Sequence, residues 1–85
     1  MIEFTQSARK HRIGRARVRQ VLMDPVVEAV LPAESGLQER LVFLGDDESG
    51  RALEAMAVRK DRGVLVIHAM DLRPKWRQLY EEGKR

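Results

Sequence analysis

Between residues 26 and 70 the chain is written in strand-length apolar runs separated by turn-forming residues, and this pattern leaves few folds open. Residues 26–31, 40–44, 51–58 and 64–70 are rich in Val, Leu, Ile, Ala and Met. Pro32, Ser35 and Gly36 interrupt the first interval. The loops at residues 45–50 and 59–63 separate the rest. Short apolar runs bounded by Gly, Pro, Asp and Ser read as antiparallel strands, the last three joined by hairpins. The fourth run is apolar on both faces apart from His68, which predicts an interior or well-covered strand.

Helical patterns flank these runs. Phe4, Ala8 and His11 fall at i, i+4, i+7 and predict a first helix over residues 4–12, capped by Thr5 or Ser7, with His11 at the edge of the core. Gly14 breaks that pattern. Val18, Val21 and Leu22 form the apolar stripe of a second helix over residues 15–23, with Arg15 and Arg19 on one flank and Arg17 on the other. Pro25 ends it, because proline disfavours a helical conformation in the residue before it. Asp71 caps a last helix with Pro74 in its first turn. Leu72, Trp76 and Leu79 are its packing stripe, Arg73, Arg77 and Tyr80 a neighbouring one, and residues 83–85 a frayed tail. The expected fold is α+β, a single domain over residues 1–85 with two N-terminal helices, a four-stranded, mainly antiparallel sheet and a C-terminal helix.

Charge is arranged in blocks. Residues 1–20 hold six Lys/Arg and one acid, residues 21–54 two and eight, and residues 55–85 eight and four, for a net +3. Basic ends that meet in space would form a face attractive to a phosphate backbone. Arg15 and Arg19 are candidates for its rim. The chain has no cysteine, so disulfides and thiolate metal sites are excluded. No secretory signal is visible, and the longest apolar run, residues 64–67, is too short to cross a bilayer. The expected location is the cytoplasm, without a membrane partner. There is no glycine-rich phosphate loop and no His-x-x-x-His or carboxylate–histidine spacing for a metal, so no metal or cofactor is expected.

Hairpin pairing yields one constellation. Val58 opposite Val64 across a five-residue turn puts Glu54 opposite His68 on one face. The preceding hairpin can set Arg40 beside Glu54. A carboxylate next to an imidazole favours its charged form, and an arginine close by can hold a phosphate, which makes a candidate acid–base set for RNA cleavage. Its plainer counterpart is a structural polar ladder. On the last helix, Arg73, Arg77 and Tyr80, beside Lys75, suit phosphate contact and base stacking. Trp76 shares the apolar stripe and reads as core.

The order of these pieces resembles the BrnT family of small type II toxins, of the RelE-like ribonuclease fold. Lys10-His11, Ile13, a helix and Asp24-Pro25 follow the family's N-terminal pattern. Arg40, Gly45 and Gly50-Arg51 look like its "R…G…GR" hairpin, and residues 66–70 like its apolar "IISAR" strand. Lys75, Arg77, Leu79, Tyr80 and Glu81 resemble its closing basic helix. The resemblance implies metal-independent RNA cleavage that inhibits translation, neutralised by a cognate ribbon-helix-helix antitoxin from an adjacent gene. By position it implies site roles for Arg40, Arg51, Lys75, Arg77 and Tyr80. His68 comes from the hairpin pairing, as the family usually has Ser there, and Met70 stands where it has Arg. In the composite expectation His68 and Glu54 carry the acid–base chemistry. Arg40, Arg73 and Arg77 hold the phosphate, Tyr80 contacts a base, and Arg15, Arg19, Arg51 and Lys75 bind RNA. The alternatives are a non-catalytic nucleic-acid- or antitoxin-binding module of the same fold, and a plain oligomerising α+β domain, for example a homodimer, with the first or second strand exposed as an edge.

Overall fold

The structure, a computed structural model, describes residues 1–85. In chain order it has strand β1 (Ile2–Phe4), a 3-10 turn (Ser7–Arg9), helix α1 (Arg15–Met23), strands β2 (Val27–Leu31), β3 (Arg40–Asp46), β4 (Ala52–Lys60) and β5 (Gly63–Asp71), and helix α2 (Pro74–Gly83). The five strands form one sheet in the order β1-β5-β4-β3-β2. All neighbours are antiparallel except β1 and β5, which run parallel.

β4 is the central strand, and every residue from Leu53 to Val58 is buried. Two cores explain why. On one face α1 lays Val18 and Val21 on Leu41, Phe43, Leu53, Ala55, Ala57, Val66 and Ala69. On the other, Leu72 and Tyr80 pack on Val42, Leu44 and Met56, with Trp76 partly buried beside them. A sheet covered on both sides needs apolar residues at consecutive positions, so its interior strands lose polar alternation. β5 lies between β1 and β4, as its apolar character predicts.

The helix expected over residues 4–12 does not form. Ile2, Glu3 and Phe4 instead pair with Val64, Leu65 and Val66 on the open edge of β5. Three residues are too few to display a strand period, and their pairing is decided by a distant partner. The expected cap goes with the helix: the 3-10 turn has no side-chain cap, and Thr5 Oγ1 only accepts from Ala8 N at 3.1 Å within the turn. The sheet therefore has five strands, not four, and a single N-terminal α-helix, not two. His11, expected at the core edge, is exposed.

The β4–β5 hairpin also departs from expectation. Its turn is two residues, Asp61-Arg62, closed by the pair Lys60 and Gly63 rather than Val58 and Val64. Gly63 has φ +142°, and a Cβ there would lie 1.9 Å from the Met1 carbonyl oxygen, so the tight turn requires glycine. Val58 faces Leu65 in this register. Extended unbroken along the hairpin, it would send Glu54 and His68 to opposite faces. The register instead shifts between Ala57 and Met56, where Ala57 pairs with Val66 and Met56 with His68. Ile67 is the extra residue of a β-bulge, and past it Glu54 faces Met70 with His68 on the adjacent diagonal.

On α2 the packing stripe is Leu72, Trp76 and Tyr80 rather than Leu79. Tyr80 is 6 % exposed and Leu79 36 %. The Tyr80 hydroxyl donates to Asp46 Oδ1, a bond that turns the helix toward the end of β3. The expected frayed tail is held down as well. Lys84 Nζ lies 2.5 Å from Asp46 Oδ2 and 5.0 Å from the Tyr80 ring centroid. Gly83 sits so close to the sheet that a Cβ would approach Val27 Cγ2 to 2.5 Å and the Val26 carbonyl oxygen to 3.0 Å. Gly83→Ala is expected to cost about 1–3 kcal/mol through overpacking, offset only in part by the roughly 1 kcal/mol that alanine gains in a helix. Denaturant unfolding measures this, and a variant as stable as the parent would contradict the contact.

Candidate functional site

The site is built around a buried carboxylate. Glu54 lies in the middle of the sheet and is 0 % exposed. An unpaired charge at that depth is prohibitive, so every lone pair must find a donor. Arg73, the residue before α2, supplies most of them. Its backbone N donates to Glu54 Oε1 at 2.8 Å. Its guanidinium reaches Oε1 through Nε at 3.1 Å and Oε2 through Nη2 at 2.7 Å. His68 Nε2 completes the set at 3.0 Å from Oε2. Pro74 at the first position of α2 fixes the backbone there, so one residue contributes an amide and a guanidinium fork to the same carboxylate.

Burial pushes the Glu54 carboxyl upward, but the side-chain and backbone bonds from Arg73, the bond from His68 and the Arg73 charge together outweigh it, leaving it below its ordinary value. Arg73 is raised in turn, chiefly by its bond to Glu54. Because an ionised carboxylate only accepts, the proton shared with His68 sits on Nε2. Nδ1 of a neutral His68 is then a free acceptor. The His68 side chain is 25 % exposed, which leaves a path to solvent.

That path opens at an edge. β1 ends at Phe4, its last pair being with Val66, so β5 beyond Val66 has no strand on the side away from β4. The 3-10 turn packs there instead, followed by exposed Lys10, His11 and Arg12. Arg12 has φ +58°, a left-handed conformation that is costly for a residue with a side chain and that collects at functional sites. The turn carries His11 to His68, with ring centroids 6.2 Å apart and the rings edge-on at 73°. Asp71, at the end of β5, lies in the fields of Arg51, Arg17 and His11, and pairs with Arg51 at 2.5 Å.

The other residues singled out in the sequence are scattered. Arg40 does not join Glu54, which pairs with Leu44, four residues along β3 and roughly 13 Å away. The β3–β4 turn is tighter and begins later than expected, because buried Asp47 organises it: it accepts from Ser49 N and Oγ and Arg51 N, and pairs with Arg17 at 2.7 Å. Arg40 lines a separate open groove with Leu37, Val58, Lys60, Leu65 and Ile67. Arg73 is tied to Glu54 rather than free for phosphate. Tyr80 is buried and cannot stack on a base. Arg77 is exposed, its guanidinium 5.7 Å from the Tyr80 ring centroid, and Lys75 lies 5.2 Å from the Trp76 ring centroid. Arg15 and Arg19 share a flank as expected, both within 5.7 Å of the Phe4 ring centroid, on the β1 side of the molecule. The chain ends do not meet: β1 borders one edge of the sheet, while the end of α2 packs toward β2 at the other. What meets is the basic turn after β1 and the start of α2, at His68.

Comparison with protein-family models, with curated protein sequences and with solved structures finds no match. No helix is long and apolar enough to cross a membrane.

Two outcomes follow from the Glu54 geometry. Its folded-state pKa lies below the ordinary 4.5, so its stabilisation is complete above that value and is lost as pH falls through the lowered one. Stability is expected to decline below about pH 4.5, with Glu54→Gln flattening the decline. Glu54→Ala, which strands Arg73 and His68, is expected to cost about 3–5 kcal/mol. Urea titration between pH 3 and 7 reads both, and a Glu54→Gln variant with the parental acid profile would contradict them.

Proposed function

We propose that the chain is a metal-independent endoribonuclease, the toxin of a type II toxin–antitoxin pair that acts in the cytoplasm on the RNA of translation, in the manner of the BrnT-like proteins its sequence resembles. The observation that carries the reading is His68: a solvent-reachable imidazole whose Nε2 is held by a buried carboxylate, leaving Nδ1 open beside a basic turn. RNA supplies its own nucleophile in the 2′-hydroxyl, so cleavage needs a proton acceptor, a proton donor and cations around the phosphate. Nδ1 of His68 takes the 2′-hydroxyl proton. Lys10, Arg12 and Arg51 border the site and attract the backbone, while Lys75, Arg77, Arg15 and Arg19 extend the basic surface. Arg73 acts indirectly, by holding Glu54. Arg40 and Tyr80 take no part in this chemistry. The antitoxin is a ribbon-helix-helix protein encoded beside the toxin.

A second reading is favoured by one observation. Arg73 and Tyr80, expected to touch phosphate and base, are occupied by Glu54 and Asp46. A module with these groups withdrawn binds nucleic acid or its antitoxin without cutting. Incubation with a mixed RNA pool in the presence of a chelator separates the two. Cleavage is expected, falling about 10²–10⁴-fold in His68→Ala. Salt-sensitive RNA binding with no cleavage would establish the second reading instead.

A further inference from the structure

We infer that His11 is the second catalytic residue, the general acid that completes the reaction begun by His68; this rests on the ribonuclease reading above. Three features of the structure converge on it. The chain has two histidines, fifty-seven positions apart in sequence, and the fold brings their rings to 6.2 Å between centroids. The turn that delivers His11 holds Arg12 at φ +58°. Such strain persists only where the surroundings over-determine it. Finally, the two imidazoles have different neighbours. His68 faces Glu54 of β4, Arg73 before α2 and His11 itself. His11 faces His68 and the field of Asp71, which Arg51 partly neutralises and Arg17 also reaches. No hydrogen bond ties down either nitrogen of His11, and the ring is exposed.

These surroundings divide the labour. Glu54 fixes the Nε2–H form of His68, so the free Nδ1 is an acceptor and serves as the base. His11, exposed and bound at neither nitrogen, is free to carry a proton to the leaving group and serves as the acid. The edge-on rings leave no room for a phosphate between them. A phosphodiester lying across the pair meets both at once. In the step, His68 Nδ1 takes the 2′-hydroxyl proton as the 2′-oxygen forms a bond to phosphorus. The bond from phosphorus to the 5′-oxygen breaks, and the His11 imidazolium gives that oxygen its proton. The products are a 2′,3′-cyclic phosphate and a 5′-hydroxyl, and one proton has passed from His11 to the leaving group while another has been gained by His68. The two imidazoles then exchange a proton through solvent to reset. No other reactant is consumed.

The test uses two substrates that differ in their need for an acid: an oligoribonucleotide, and a ribonucleoside 3′-(4-nitrophenyl phosphate), whose leaving group departs without a proton. His11→Ala is expected to lose about 10²–10⁴-fold on the oligoribonucleotide and less than about tenfold on the activated ester. His68→Ala is expected to lose activity on both. His11→Asn, which keeps polarity and size without an acid, should match His11→Ala. Equal losses on the two substrates, or undiminished RNA cleavage by His11→Ala, would overturn the assignment of His11 and leave the ribonuclease reading standing. A parent protein that cleaves neither substrate would remove both.

Discussion

The arrangement depends on how Glu54 is kept charged in the centre of the sheet. A carboxylate with no exposed surface is tolerated only if donors surround it, and the donors come from two places in the chain, Arg73 and His68. Arg73 supplies an amide and a guanidinium, which fixes where α2 begins. His68 supplies Nε2, which fixes one orientation of its ring. The β-bulge at Ile67 makes the second of these reachable, since without it Glu54 and His68 would face opposite sides of the sheet. An ion pair at this depth adds little net stability over a well-packed apolar core, and here it holds the start of α2 and one orientation of the His68 ring.

The same constraint leaves the members of the cluster unequally satisfied. Glu54 and Arg73 satisfy one another almost completely and have little left for a substrate. His68 is bound at one nitrogen and open at the other. His11 is bound at neither and comes from a strained turn that packs where β1 leaves the edge of β5 uncovered. Hydrogen-bond satisfaction thus falls along a line from the central strand to the sheet's edge.

How far the sequence revealed this varied with the range of the interactions. Residues 26–70 announced their strands because turn residues and apolar runs are local signals. The flanks of α1 were legible from a helical period, down to Arg15 and Arg19 sharing a side. β1 was hidden because three residues carry no period and their partners lie 62 positions away. The meeting of Glu54 and His68 was expected from a register two residues out. An error of two preserves the face, so the pair formed on a diagonal. Arg40 was misplaced by a hairpin whose turn is set by buried Asp47. Nothing local in the sequence reveals the bond from Tyr80 to Asp46 that buries it. The spacing of Phe4, Ala8 and His11 matches a helical face, but Phe4 belongs to β1 and no helix joins the three. The one available clue was that the sole other histidine stood among apolar residues on a strand.

A buried, arginine-held carboxylate fixes which ring nitrogen of His68 carries the proton. Nitrogen-15 NMR of the histidine rings measures this directly, because the two ring nitrogens differ in chemical shift according to which one carries the proton. The account expects neutral His68 to be the Nε2–H tautomer, and Glu54→Gln to weaken that preference while His11 is little changed. A neutral His68 in the Nδ1–H form, or one averaging between tautomers like a free imidazole and unaltered by Glu54→Gln, would contradict it.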